Sequence, residues 1–254
     1  MSFELKDTNS IWVGIFVNLE DVISTANVLN ATKSPAFETR KWLIRQSEML
    51  NSAKVGIASR HSTLPVLSAV LKSEREIKIY DLGGGSGWVY QYMKAIGCGP
   101  INYINQELSV TVKEFQEHFE FDSRVVFTEI PMELNDIDIL YSNSVIQYFE
   151  NLNNLFSLIS KIKPTYILLD DVQVSNGTDF FSLQRYYDKF IPTKFYDVSK
   201  IVVEMERIGY KLLLKSDYPA IFSDHMMPTI SERNESALDR DAPLVLLFAD
   251  YSVD

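Results

Sequence analysis

Cysteine is almost absent from this chain of 254 residues. Cys98 stands alone, which excludes an intramolecular disulfide and any paired-cysteine metal site. In Gly97-Cys98-Gly99-Pro100 it reads as a small turn residue. Histidine is scarce too: of the three, His61, His118 and His225, no two show ligand spacing, so no metal is expected. Basic side chains are outnumbered, with 24 Lys and Arg against 34 Asp and Glu, a net charge of −10. That field repels phosphate backbones and no Lys/Arg-rich stretch offsets it, so nucleic acid is not an expected partner. Long apolar runs are missing as well. The run Ile11 to Val17 falls far short of the roughly 20 residues of a membrane span. The first ten residues lack the basic start of a signal peptide, and the expected location is cytoplasmic.

What remains is an ordinary globular composition, 46% hydrophobic and 23% charged, which excludes disorder and collagen-like repeats. Two territories divide it. Residues 1–75 show helical periodicity, with Val22, Ala26 and Leu29 on one face and Trp42, Arg45, Met49 and Leu50 on another. A further helix covers Leu64 to Leu71, and the segment reads as an N-terminal helical cap. From residue 76 to 254, short apolar strands alternate with helices. The strands are Ile77–Leu82, Ile101–Asn105, Val125–Thr128, Ile137–Tyr141, Tyr166–Leu169, Tyr210–Leu214 and Leu244–Phe248. Between them Leu152, Leu155, Phe156 and Ile159 form a helical face. A second runs from Val198 to Ile208, capped by Asp197 and stopped by Gly209. This rhythm predicts an α/β fold, a doubly wound, seven-stranded, mostly parallel sheet of Rossmann-like kind. Residues 215–243 break it, as a long excursion leading to an antiparallel edge strand would.

The chemistry concentrates in Tyr80-Asp81-Leu82-Gly83-Gly84-Gly85-Ser86-Gly87-Trp88, after the first strand of the sheet and before a helix. Four glycines in five residues let the backbone approach a ligand, and the helix start behind them offers unpaired N–H groups. The dinucleotide fingerprint fails, because its third glycine would fall on Trp88 or Tyr90. The P-loop fails for want of Gly-Lys-Ser/Thr. Asp81, two residues before the first glycine, completes a stretch that resembles the first motif of class I S-adenosylmethionine-dependent methyltransferases.

That resemblance implies roles for particular residues. Asp81 would help position the methionine moiety, and Gly83, Gly84, Gly85 and Gly87 would pass beneath the cofactor. Glu107, after the second strand, would accept hydrogen bonds from both ribose hydroxyls, as a carboxylate with two oxygens can. Thr128 and Glu129, at the end of the third strand, would lie near the adenine. Ser142 and Asn143 end the fourth strand, whose stretch Asp138 to Tyr148 resembles the family's fourth-strand motif.

A narrower resemblance is to uncharacterised methyltransferases associated with bacterial surface-polysaccharide gene clusters. It rests on the opening Trp12 to Ala26, Gly-Gly-Gly-Ser-Gly, Gln147-Tyr148, Leu168-Leu169-Asp170-Asp171, Phe180 to Gln184 and Gly209 to Leu212. It implies a sugar or sugar-nucleotide acceptor. Where that group carries a basic residue, this chain has Asp170 or Asp171.

Methyl transfer is an in-line displacement in which alignment does much of the work, and a hydroxyl acceptor needs a base. The candidates are Asp171 at the end of the fifth strand, Tyr148 after the fourth, and His225 in the late excursion. His61 opens a helix that could meet the site, whereas His118 reads as structural. The expected partner is a small-molecule acceptor, with a homodimer possible through exposed helical faces. Two other functions compete: a non-catalytic S-adenosylmethionine-binding or interaction protein, and an NAD-dependent oxidoreductase. Residues 1–75 and the loop Tyr218 to Pro228 are expected to close over the acceptor. The alternative packs those helices on the far side of the sheet or at an interface.

Overall fold

The computed structural model describes residues 11–30, 35–57, 63–71, 76–132, 134–187, 189–218 and 243–252. All seven strands expected from the sequence form one sheet. They are β2 (Ile77–Leu82), β3 (Ile101–Gln106), β4 (Val125–Thr128), β5 (Ile139–Asn143), β6 (Tyr166–Val172), β10 (Tyr210–Asp217) and β11 (Leu244–Asp250). Their spatial order is β10-β11-β6-β5-β2-β3-β4. From β2 the chain runs outward through β3 to β4, then returns to place β5 on the other flank of β2, all in parallel register. The order therefore reverses between β2 and β5, and a crevice opens there beyond the carboxyl ends. The glycine-rich loop leaves β2 at that crevice.

The sheet is mixed rather than parallel throughout. β11 runs antiparallel to both of its neighbours, β6 and β10. The antiparallel strand expected at the edge is thus an inner one, and β10 is the edge. Burial explains the exchange. β11 (LVLLFAD) is buried along most of its length, while Leu213, Leu214 and Lys215 of β10 are exposed. The more apolar strand takes the position covered on both faces. Of the stretch between them, residues 219–242, with His225, lie outside the described residues, as does His61.

Alternating residues of the sheet feed two cores. On one face Ile79, Tyr141 and Leu168 pack with α2 (Arg40–Lys54), α3 (Leu64–Leu71), α4 (Trp88–Ala95) and α5 (Ser109–Phe115). On the other, Tyr80, Leu140 and Leu169 pack with α6 (Asn153–Ile162) and α7 (Val198–Arg207). Asp197 caps α7 as expected, accepting from the Ser199 N–H at 3.0 Å. Among the described residues no helix is long and apolar enough to cross a membrane.

The N-terminal segment is not wholly helical. β1 (Trp12–Phe16) precedes α1 (Leu19–Leu29) and pairs with β8 (Phe180–Tyr186). With β7 (Val174–Ser175) and β9 (Lys189–Asp197) they build a second sheet in the order β1-β8-β9-β7. Two interruptions hide it from a reading by periodicity. Gly14, at φ +73°, sits in β1 where the register shifts. Pro192 sits within β9, tolerated because two-residue β7 reaches only Tyr196 and Asp197 and leaves that side of Pro192 unpaired. Val22 and Ala26 of α1 are buried against Phe181 and Leu183 of this sheet.

Asp170 ties α3 to the main sheet. Its carboxylate accepts from the Thr63 N–H at 3.2 Å, the Thr63 hydroxyl at 2.9 Å and the Tyr141 hydroxyl at 3.3 Å. Replacing Thr63 by Val should cost about 1.5–3 kcal/mol in urea unfolding, the range for hydrogen bonds to a charged group, and speed amide exchange in α3. A neutral substitution would mean that Asp170 does not hold this helix.

Candidate functional site

The turn after β2 is tight for reasons that can be named atom by atom. Asp81 is fully buried, and one oxygen of its carboxyl group accepts from the Tyr103 hydroxyl. A side chain on Gly84 would put its Cβ 2.5 Å from Asp81 Oδ2 and 2.6 Å from Asn105 Oδ1. One on Gly85, at φ +58°, would stand 2.3 Å from Gln46 Oε1. Glycine is required at both. At Gly85 the neighbour is protein: α2 crosses the loop and clamps it. Gln46 Oε1 accepts from the Ser86 N–H, and the Ser86 hydroxyl donates to the Gln46 carbonyl, both at 2.9 Å. From the other side Asn105 Nδ2 donates to the Gly85 carbonyl at 2.9 Å.

A cavity of about 320 Å³ lies above this loop, at the reversal between β2 and β5. Asp81, Gly83, Gly84 and Gly85 form its floor, and Glu107 and Glu129 border it from the ends of β3 and β4. Asn143 and Ser144 come from the end of β5, and Tyr148 from the turn Ile146–Tyr148 that follows. Phe37, Trp42, Gln46 and Met49 cover it, so the N-terminal segment does reach the carboxyl edge of the sheet. Phe37 is the centre of an aromatic cluster, its ring 5.2 Å from Trp42, 4.8 Å from Tyr148 and 5.8 Å from Tyr186.

In sequence the chain matches no family model and no curated protein. In structure it resembles a chain of the complex between the Haloferax volcanii Trm112 methyltransferase activator and a methyltransferase. The TM-score is 0.52 at 13% identity, covering 85% of this chain and 97% of that one. A Mesorhizobium loti S-adenosylmethionine dependent methyltransferase aligns with TM-score 0.50 at 16% identity, over 74% of this chain and 97% of its own. A Listeria monocytogenes S-adenosylmethionine dependent methyltransferase gives 0.50 at 10%, over 74% and 99%. The fold is methyltransferase-like.

Within this methyltransferase-like fold not every residue singled out from the sequence reaches the cavity. Gly87 caps α4 in a left-handed conformation, and a Cβ there would meet Phe119 and Phe127. Thr128 turns its hydroxyl to the Ile130 carbonyl at 2.8 Å, and Ser142 turns its own to the Leu82 carbonyl at 3.1 Å. Neither lines the cavity. Asp171 stands one step behind it. Its carboxylate accepts from the hydroxyl of Ser144, which does line the cavity, and from Gln173 Nε2 at 3.1 Å. Asp170, its sequence neighbour, serves α3 instead. Tyr148 borders the cavity while its hydroxyl donates to Gln184 Oε1 at 2.7 Å.

Gln46, Asn105, Phe37 and Tyr186 also belong to the site or to the clamp beneath it, and no motif marks them. Gln46 had a signal: it sits four residues after Trp42 and three before Met49, on the same apolar helical face. Phe37 and Tyr186 had none, because they meet only through the second sheet.

Burial dominates the electrostatics. It pushes the Asp81 carboxyl up to about 7, against the lowering by the Tyr103 hydroxyl and with further raising by Glu107 and Asp170. Burial also raises Glu107, opposed by backbone N–H groups of Leu108 and Gly85. Asp81 Oδ1 and Asn143 Nδ2 are buried without a hydrogen-bond partner among the described residues, one an acceptor and one a donor. A polar, cationic ligand above the loop would suit both carboxylates.

The raised Asp81 has a consequence for stability. Between about pH 4 and 7 the folded chain holds a proton that the unfolded chain has lost, so this group's contribution declines as pH rises through that window. Asp81→Asn keeps an acceptor for Tyr103 and removes the charge. Without ligand it should raise Tm at pH 8 by about 3 °C or more, the shift that 1 kcal/mol produces at this size. The gain should shrink on acidification and be gone below about pH 4. A gain independent of pH would show that Asp81 does not titrate in this range.

Proposed function

We propose that this chain is an S-adenosylmethionine-dependent methyltransferase acting on a small-molecule hydroxyl or amine. The observation that carries the reading is the cavity at the strand reversal, floored by Asp81 and Gly83 to Gly85 with Glu107 at its edge. The residues fit the cofactor chemically. A buried carboxyl oxygen and a buried amide N–H lack partners among the described residues, and two carboxylates face a site that would receive a cation.

In this reading Asp81 and Asn143 hold the amino-acid part of the cofactor, and Glu107 accepts from the ribose hydroxyls. Glu129 and Leu108 border the adenine, and Gln46 and Asn105 fix the loop on which the cofactor rests. S-adenosylmethionine, when bound, supplies a methyl group activated by its sulfonium. The chain's own residues align the acceptor and keep water out. Phe37, Trp42, Tyr148 and Tyr186 form the dry wall on the acceptor side. Tyr148 touches the acceptor, and Asp171 acts through Ser144 as a positioning residue. A sugar or sugar nucleotide is what the narrower sequence resemblance implies as the carrier of the acceptor group.

Calorimetric titration with S-adenosylmethionine, its demethylated product and NAD tests this directly. The first two should bind and NAD should not; binding of NAD alone would overturn the proposal. Glu107→Ala should weaken S-adenosylmethionine by about 1.5–3 kcal/mol, and much less for an analogue lacking both ribose hydroxyls. Equal losses for the two would remove Glu107 from the ribose.

A further inference from the structure

A second cavity, of about 920 Å³, adjoins the first. It lies between α1, the 3-10 turn Ala36–Glu38, the turn Ile146–Tyr148 and the strands β8 and β9. Phe37, Tyr148 and Phe149 line both cavities and form their common wall. Beyond that wall the lining is largely apolar, with Ile23 of α1, Phe181 of β8 and Phe190, Ile191 and Pro192 of β9. Two buried polar residues, Gln147 and Lys189, break this surface. Gln147 is 3% exposed, lines the cavity, and its Oε1 has no hydrogen-bond partner among the described residues. A buried carbonyl oxygen without a donor is unfavourable, and a ligand hydroxyl supplies the missing proton. Lys189 and Lys194 also border the cavity, Lys194 paired with Asp179 at 3.3 Å and donating to the Glu150 carbonyl at 3.1 Å.

We propose that this second cavity is the acceptor site, and that the acceptor is a small molecule with an apolar ring or hydrocarbon body and a hydroxyl that donates to Gln147 Oε1. The inference rests on the methyltransferase reading and makes its substrate class specific. The stretch of lining formed by Ile23, Phe181, Phe190, Ile191 and Pro192 offers no partner to the hydroxyls a free sugar would turn towards it, so the saccharide implied by sequence resemblance gives way to an acceptor with an apolar body. The residues common to both cavities, Phe37, Tyr148 and Phe149, set the acceptor beside the cofactor cavity, so that its reacting group can meet the cofactor where the two adjoin.

The full chain is titrated with 2-naphthol, with 2-methoxynaphthalene, whose oxygen cannot donate, and with glucose. Naphthol should bind about tenfold or more tightly than glucose, which has no comparable apolar area to bury. It should bind about tenfold more tightly than its methyl ether, as the loss of one buried hydrogen bond dictates. Gln147→Leu should erase the difference between naphthol and the ether. Ile191→Trp, which fills the cavity, should weaken naphthol by about tenfold or more. Where that variant loses its cooperative melt, Ile23→Trp on the solvent-facing helix α1 replaces it with the same expectation. Glucose binding as well as naphthol, an undiminished naphthol–ether difference in Gln147→Leu, or indifference to the filling variant would each overturn the proposal. S-adenosylmethionine titrated alone separates the two readings. Naphthol binding without cofactor binding overturns the methyltransferase reading and keeps the apolar site. Cofactor binding without naphthol binding does the reverse.

Discussion

Asp81 is a carboxyl group with no exposure at the end of the central strand, and the site is built around keeping it there. The Tyr103 hydroxyl donates to one oxygen, Oδ2, and the loop backbone folds back over that same oxygen so closely that Gly84 has no room for a Cβ. Asn105 and Gln46 then hold that backbone from opposite sides. The result is a floor held on both sides by hydrogen bonds within the chain. Its electrostatic cost is visible in the raised pKa of Asp81, and a cationic ligand would lower it.

The clamp by α2 links two parts of the chain that look independent in the sequence. Met49 and Leu50 pack into the core beside Trp88 and Val89 of α4, while Gln46, on the same face, reaches Ser86. The N-terminal segment therefore contributes both hydrophobic burial and part of the site. Its first element behaves differently. β1 completes a small sheet with β8 and β9, and α1 lies across that sheet. The two halves of the N-terminal segment thus frame two adjoining cavities, with Phe37 between them.

That division suits a two-ligand reaction. Both cavities have aromatic and aliphatic walls; the first adds the glycine loop with Asp81, Glu107 and Glu129, and the second adds Gln147, Lys189 and Lys194. A ligand in each would meet the other where Phe37, Tyr148 and Phe149 are shared.

The seven strands of the main sheet were legible because each is a short apolar run bounded by polar residues, and burial on both faces demands such runs. The loop from Asp81 to Gly87 was legible because few side chains other than glycine tolerate that backbone. The second sheet was not: Gly14 and Pro192 interrupt its strands, and its partners lie far apart in the chain, Trp12 opposite Gln184. Local sequence records what a residue needs of its own backbone and of the faces it buries. It does not record which distant segment supplies the other side. So the fold class, the glycine loop and the carboxylates beside it follow from the sequence by itself. The inner place of β11, the clamp by Gln46, the withdrawal of Ser142 and Thr128 from the cavity and the aromatic wall around Phe37 were decided only by tertiary packing, which brings together groups that no spacing in the sequence relates.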